Sequence, residues 1–267
     1  QVKQEQSATY FKFGDGDYFF LKKESVGSAK PGNRALSKSY WRINHKEFVN
    51  GSKKNDYYLC EILNQNESYF SEIFNKNYDF PAEYVYGLVA NKWLLKTFAG
   101  KIGIIGATEK IELIKTLLER KEYQDYLGLD KFEDYISIPQ KFACDNIRKT
   151  RKLIKNQLAN STSKIFLLGV GHVKSGLTHL LPTYKNAVYL DIGSGVDAIA
   201  GIIDKRRPYF YNWDNYKLKN NTYYKNIDFL QFNYDGSEIE IPWKYETIKN
   251  LAILDYQDTI ELIFQSP

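Results

Sequence analysis

Two carboxylates one residue apart, Asp15 and Asp17, end the apolar run Tyr-Phe-Lys-Phe that starts at Tyr10, and Gly14 and Gly16 stand before and between them. Glycine there lets the backbone turn tightly and approach a ligand closely, so both carboxylates can be aimed at one point. Hard divalent cations such as Mg²⁺ or Mn²⁺ take oxygen from one or two carboxylates and leave their other positions to water and substrate phosphate. Asp15 and Asp17 are therefore candidate metal ligands. The same residues also fit a hairpin turn, with 18–21 as the returning strand.

Three further stretches carry chemistry. Over 27–34, Gly-Ser-Ala-Lys-Pro-Gly-Asn-Arg places Lys30 and Arg34 in a basic loop that opens into a helix expected from Ala35, where backbone N–H groups and basic heads can receive a phosphate. An ordinary solvated loop has the same composition. Over 169–176, Gly-Val-Gly-His-Val-Lys-Ser-Gly sets Gly169 and Gly171 in a phosphate-type turn, with Lys174 and Ser175 entering a helix. Gly-Lys-Ser/Thr does not close that loop, so the Walker pattern of nucleotide triphosphatases fails. Over 191–197, Asp-Ile-Gly-Ser-Gly-Val-Asp resembles the first glycine motif of S-adenosylmethionine methyltransferases, but Asp197 replaces the third glycine and 198–267 is too short for the sheet that follows that motif.

The elements around these stretches must position them. A strand over 9–13 leads into the Asp pair. Helical patterning dominates 53–99, over 57–63, 69–74 and 83–98, the last carrying Tyr84, Leu88, Trp93 and Leu95 as a core-facing helix. The pattern then changes. Strands are expected over 101–106, 135–138, 164–169 and 187–193, with helices from Thr108, a good N-cap, to Leu118, over 144–158 (basic and amphipathic) and over 175–181. Strands alternating with helices predict an α/β fold with a mostly parallel sheet and ligands at the carboxyl ends of its strands. Farther on, 205–213 is basic and then aromatic, suited to covering a nucleotide, lining an acceptor groove or packing on the sheet; three basic residues are too few for a nucleic-acid protein. Short strands over 227–232 and 239–243 and an amphipathic segment over 248–264 would build an acceptor site or dock another domain.

Bulk properties set outer bounds. A chain of 267 residues can bury a substantial core as one domain. The 37 basic residues against 32 acidic ones give a mixed surface rather than a polycation. Tyrosine, 22 copies, fits clefts for sugars and equally an AT-rich genome. Cys60 and Cys144 match no metal spacing and no disulfide framework, which points to a reducing compartment. No apolar run is long enough to span a bilayer. The absence of methionine, even at position 1, gives the expectation that the chain is a piece of a longer protein.

Taken together, Phe-Gly-Asp-Gly-Asp17, the 169–176 turn and Tyr-Leu-Asp-Ile-Gly-Ser-Gly-Val-Asp197 resemble glycosyltransferases of the GT-D structural type, over about residues 9–205. In that family an Arg-Phe-Gly-Asp-Gly-Glu element supplies an Asp-x-Glu metal motif; a glycine turn before a helix and a strand ending in Asp-Ile-Gly, with an Asp just beyond, come later. This chain departs from the pattern at Lys12 (often Arg), at Asp17 (Glu) and at Ser194-Gly195 (a single His in many members). The resemblance implies one Rossmann-like domain over 1–267, sheet flanked by helices, with 206–267 as an extension of unassigned role. It implies binding of a nucleotide-sugar, usually a UDP-sugar, with Mn²⁺ or Mg²⁺, and transfer to a glycan or glycoprotein acceptor in bacterial surface polysaccharide or protein glycosylation. Asp15 and Asp17 would hold the metal, and Gly14, Gly16, Lys30, Arg34, Gly169, Gly171, Lys174 and Ser175 would meet the donor. An acceptor hydroxyl must lose its proton to a carboxylate or His near the anomeric carbon. Asp197 is the first choice because it matches the family's Asp, with Asp191 and His172 in reserve; Asp191 as a helix cap and His172 as an ordinary core or surface residue are the structural alternatives. The reading places the chain in the cytoplasm, peripheral to the inner face of the membrane. A methyltransferase, or a catalytically silent glycan-binding or scaffold module of the same fold, are the competing functions.

Overall fold

The computed structural model describes residues 1–23, 43–62, 66–140 and 143–202, together with Trp213, 215–219 and Tyr224. The basic loop, the helix expected from Ala35, the strands expected over 227–232 and 239–243 and the segment 248–264 lie outside these residues.

The most continuously apolar runs form the middle of one parallel sheet. Its strands are β1 (Ala8–Phe13), β2 (Tyr57–Cys60), β3 (Phe80–Pro81), β4 (Ile102–Ala107), β5 (Tyr135–Ile138), β6 (Ile165–Gly169) and β7 (Val188–Asp191). They lie in the order β3-β2-β1-β7-β6-β4-β5, every pair parallel. All six residues of β4 and all four of β7 are buried, as expected of strands covered on both faces, whereas edge strand β5 alternates buried and half-buried positions. One register row, Tyr57, Tyr10, Leu190, Leu167, Ile104 and Tyr135, crosses six strands. The expected α/β, Rossmann-like parallel sheet flanked by helices is the observed architecture.

The helices are α1 (Asp15–Lys22), α2 (His45–Ser52), α3 (Asn66–Phe74), α4 (Ala82–Ala90), α5 (Trp93–Thr97), α6 (Thr108–Leu118), α7 (Lys121–Leu127), α8 (Ile147–Leu158), α9 (Lys174–Leu177), α10 (Leu181–Tyr184) and α11 (Ser194–Ile199). The two-residue alternation of the strands divides the core between two faces. Ile104, Leu167, Val188 and Leu190 face α4, α5, α6, α7 and α11, while Phe11, Phe13, Ile105, Phe166, Leu168 and Tyr189 face α1, α2, α3 and α8. Helix α8 buries Ile147, Thr150, Ile154 and Leu158, one stripe at helical spacing, and Asn146 caps it by accepting from the Lys149 N–H at 3.0 Å.

Several expected boundaries move, each for a local reason. Tyr57–Cys60 is a strand and not part of a helix over 57–63: four apolar residues read alike in either state, and pairing with β1 on one side and β3 on the other decides it. The helix expected over 83–98 is two helices, because Lys92 takes a left-handed conformation (φ 65°) and the Asn91 side chain accepts from the Trp93 N–H at 3.0 Å. The helix expected over 175–181 is a succession of short turns, with Pro182 in the first turn of α10. Thr108 is the first helical residue rather than the cap, and its hydroxyl donates to the Ile138 carbonyl at 3.1 Å. Trp213, at the end of the basic-aromatic stretch, is buried in the core beside α7.

Strand β6 and helix α11 approach so closely that a Cβ at Gly169 would lie 2.5 Å from Val196 Cβ and 3.1 Å from the Gly193 carbonyl oxygen. Gly169 is therefore required by packing. Gly169→Ala is expected to cost about 1–3 kcal/mol in denaturant unfolding by forcing the strand and helix apart. Gly171→Ala, which meets no atom but holds φ +57°, should cost only about 1 kcal/mol.

Candidate functional site

The Asp pair opens a helix. Gly14 is the extended N-cap of α1, Asp15 is its first residue and Asp17 its third. Asp17 turns back so that Oδ2 accepts from the Gly14 N–H at 3.1 Å, and Asp15 Oδ1 accepts from the Gly16 N–H at 2.6 Å. Both charges suit the positive end of the helix. The alternative hairpin is excluded, since 18–21 lie inside α1 with Tyr18, Phe20 and Leu21 buried. A Cβ at position 14 would lie 2.7 Å from Glu61 Oε2, so a larger residue there would displace the Glu61 carboxylate.

Lys174 lies at the centre of the site. Its ammonium Nζ is 2.9 Å from Asp17 Oδ2 and 3.0 Å from Asp191 Oδ2, donates to the Lys12 carbonyl, and stands 4.9 Å from the centre of the Phe11 ring. All three charged residues are buried. Asp191 also accepts from the Gly193 N–H at 3.0 Å and the Lys12 N–H at 3.3 Å, so it caps its own turn as well as pairing. Burial works against charge on both partners. For Asp17 it raises the pKa, but Lys174, His172 and Lys12 reverse that and hold the carboxyl down at about 2. For Lys174 burial lowers the pKa, and Asp17 and Asp191 more than offset it, so the net shift is upward.

Two more ion pairs complete the wall. Lys12 Nζ meets Glu61 Oε1 at 2.6 Å and donates to the Tyr86 hydroxyl at 2.8 Å, and that hydroxyl donates to Glu61 at 2.9 Å. Lys110, in the first turn of α6, pairs with Asp197 of α11. His172 stacks on Phe20, ring centres 4.7 Å apart, with Nδ1 3.7 Å from Asp17 Oδ1, too far for a hydrogen bond.

Together these groups line one cleft of ≈ 260 Å³ at the carboxyl ends of β1, β2, β4, β6 and β7. Among the described residues its lining is five carboxylates (Asp15, Asp17, Glu61, Asp191, Asp197), three ammonium groups (Lys12, Lys110, Lys174), His172, Ser194 and glycine backbone at 14, 16, 169, 171 and 193. Ligand sites are usually walled by apolar and aromatic groups. Among the described residues this wall is made of charged and polar side chains and glycine backbone, which recognise a ligand by charge and hydrogen bonds.

Of the residues expected from sequence, Asp15, Asp17, Gly14, Gly16, Gly169, Gly171, His172, Lys174, Asp191 and Asp197 all reach this cleft. Lys30 and Arg34 lie outside the described residues. Ser175 does not reach it: it is fully buried, its hydroxyl has no partner among the described residues, and its carbonyl lies 2.3 Å from where a Cβ on Gly51 would be. Lys174 lines the cleft but is committed to two carboxylates. Sequence reasoning missed Glu61, Lys110 and the ion-pairing role of Lys12. An acidic residue directly after the apolar run 57–60 would have marked Glu61 had that run been read as a strand.

Among the described residues the lining carries more carboxylates than ammonium groups, an excess of negative charge that a divalent cation would offset. Asp15 is the one carboxylate of the five with no cation in ion-pair range among the described residues. Those residues contain no ready cage of three His, Cys, Asp or Glu side chains. One available carboxylate, with phosphate and water to fill the remaining positions, is nevertheless a fit for Mg²⁺ or Mn²⁺. Asp17 would support Asp15 rather than share the ion through the oxygen that Lys174 occupies.

Fold and site thus define a parallel α/β protein with a charged, polar cleft at its strand ends. Comparison with protein-family models, with curated proteins and with solved structures gives no match.

Removing the central cation should be costly. Lys174→Met leaves two buried carboxylates without a counter-ion and is expected to destabilise by about 3–5 kcal/mol in denaturant unfolding. Combining it with Asp17→Asn and Asp191→Asn should recover a large part of that. With chelator present, the wild type's Asp17 contribution should be complete above about pH 4, because the folded pKa lies below the unfolded one. It should be lost as the pH falls through about 2, by about 2 kcal/mol. An acid limb unchanged in Asp17→Asn would contradict this.

Proposed function

We propose that the protein is a metal-dependent glycosyltransferase that takes its sugar from a nucleotide-sugar, first of all a UDP-sugar, and passes it to a hydroxyl of a glycan or glycoprotein acceptor. The observation that carries the reading is the convergence of three stretches remote in sequence, 14–17, 169–174 and 191–197, on one highly charged cleft at the carboxyl end of a parallel sheet. Those are the stretches on which the resemblance to GT-D enzymes rests. A polar wall rich in charge suits a diphosphate and a sugar ring, whose recognisable groups are anionic oxygens and hydroxyls.

Asp15 would hold the Mn²⁺ or Mg²⁺, which when bound neutralises charge on the departing diphosphate. The chain's own residues account for the rest. Asp17, pinned by Lys174, fixes the first turn of α1 and hence the place of Asp15. His172, partly exposed at the wall, can bond a donor hydroxyl or phosphate oxygen. In a direct displacement the acceptor O–H gives its proton to Asp197 and its oxygen bonds the anomeric carbon. The bond from that carbon to the diphosphate breaks with its electron pair left on the diphosphate oxygen. The reading carries with it a cytoplasmic site of action at the inner face of the membrane, in making surface polysaccharide or glycoprotein. Among the described residues no helix is long and apolar enough to cross a membrane.

Calorimetric titration of UDP and a panel of nucleotide-sugars, with Mn²⁺ and with chelator, tests this directly. Binding should require the metal and weaken about tenfold or more in Asp15→Asn with the melting temperature unchanged. No nucleotide binding under either condition would refute the reading. In that event S-adenosylmethionine binding without metal would indicate the methyltransferase, and glycan binding without donor turnover a silent module.

A further inference from the structure

The three ammonium groups of the cleft differ in what they are free to do. Lys174 is held by two carboxylates and a carbonyl, its side chain 5% exposed; Lys12 is held by Glu61 and Tyr86 at 12% exposure. Lys110 pairs with Asp197 alone among the described residues, and this pair is the most open of the three, at 21% and 31%. A partly solvated lysine–carboxylate pair contributes little net stability, roughly 0–1 kcal/mol. A diphosphate carries more charge and more acceptor oxygens than a carboxylate, so it competes for such a lysine effectively. The partner that would be displaced, Asp197, is the carboxylate assigned to take the acceptor's proton, and the oxygen facing Lys110 is covered as long as the pair stands.

We propose that, among the described residues, Lys110 receives the donor's diphosphate, and that by moving to it Lys110 uncovers the Asp197 oxygen it pairs with, so that donor binding itself arms the base. This rests on the glycosyl-transfer reading above. Lys110 swings from the Asp197 carboxylate to a phosphate oxygen, a change of one flexible side chain. Asp197 Oδ1 is then open to an acceptor hydroxyl. The electron pair released when the anomeric carbon–oxygen bond breaks comes to rest on the diphosphate that Lys110 now faces, and the acceptor's proton comes to rest on Asp197. Lys174 and Lys12 are less suited to this part, because moving either would take the cation from a more deeply buried carboxylate.

The arrangement makes a prediction of unusual sign, read by titrating UDP with Mn²⁺ into wild type, Lys110→Gln, Asp197→Asn and the double variant, all checked for an unchanged melting temperature. Lys110→Gln should weaken UDP binding about ten- to a hundredfold, and Lys110→Arg should largely restore it. Asp197→Asn should abolish sugar transfer yet tighten UDP binding several-fold, because Lys110 is no longer shared. In the Lys110→Gln background the same Asp197→Asn change should have no effect on UDP. Unchanged binding in Lys110→Gln, weaker binding in Asp197→Asn, or equal tightening in both backgrounds would each overturn the proposal while leaving the donor site itself standing. A wild type that binds no UDP would overturn the glycosyl-transfer reading and this inference with it.

Discussion

The ammonium of Lys174 holds the site together. Buried between Asp17 and Asp191, it joins the ends of β1, β6 and β7, three segments that sequence separates by more than a hundred residues at their extremes. The two carboxylates offset the cost of burying the lysine's charge, and the lysine, with the N–H groups of Gly14, Gly193 and Lys12, offsets the cost of burying theirs. The ion pairs tie the three loops to one another. Groups fixed before a ligand arrives need no reorganisation when it does, and this internal ion pair, set over the Phe11 ring, supplies that fixity.

Charge in the cleft is graded from inside out. The Lys174 network is sealed, the Lys12–Glu61 pair with Tyr86 is nearly so, and the Lys110–Asp197 pair opens to solvent. Rigidity and availability follow the same gradient, since an ion pair loosens as water screens it. Scaffold and working groups are thus chemically the same kinds of residue, lysines and carboxylates, told apart by depth alone. That explains why residue type in the sequence could not assign their roles.

How much was legible can be judged from particular elements. Strands β4, β6 and β7 are apolar runs, β6 ending on Gly169 and β7 on Asp191, and burial on both faces leaves such runs little choice. Aspartates and glycines at their ends mark a cleft because parallel strands open at their carboxyl ends. Strand β2 was hidden, since four residues carry no period, and with it went Glu61. Helix α1 was hidden because Gly-Asp-Gly-Asp serves a turn and a helix start equally; the return bond from Asp17 to the Gly14 N–H decides between them. Lys110 had no local signal, since its partner comes from α11 and only the strand order brings β4 near β7. Lys174 looked like a phosphate ligand by its place in a glycine turn, and what commits it elsewhere is contributed by β1 and β7.

The placement of β7 bears on how the molecule comes into being. Strands β3, β2 and β1 form one half of the sheet and β6, β4 and β5 the other, and β7 is the sole bridge between them among the described residues. Until residues 188–191 leave the ribosome, β1 and β6 are bare edges of two half-sheets that have no contact through hydrogen bonds, the state in which strands recruit the wrong neighbours. The residue that ends β7 is Asp191, the second partner of Lys174. Closing the sheet and completing the buried ion network are consequently coupled, so a chain cut before β7 would have neither a finished core nor a cleft.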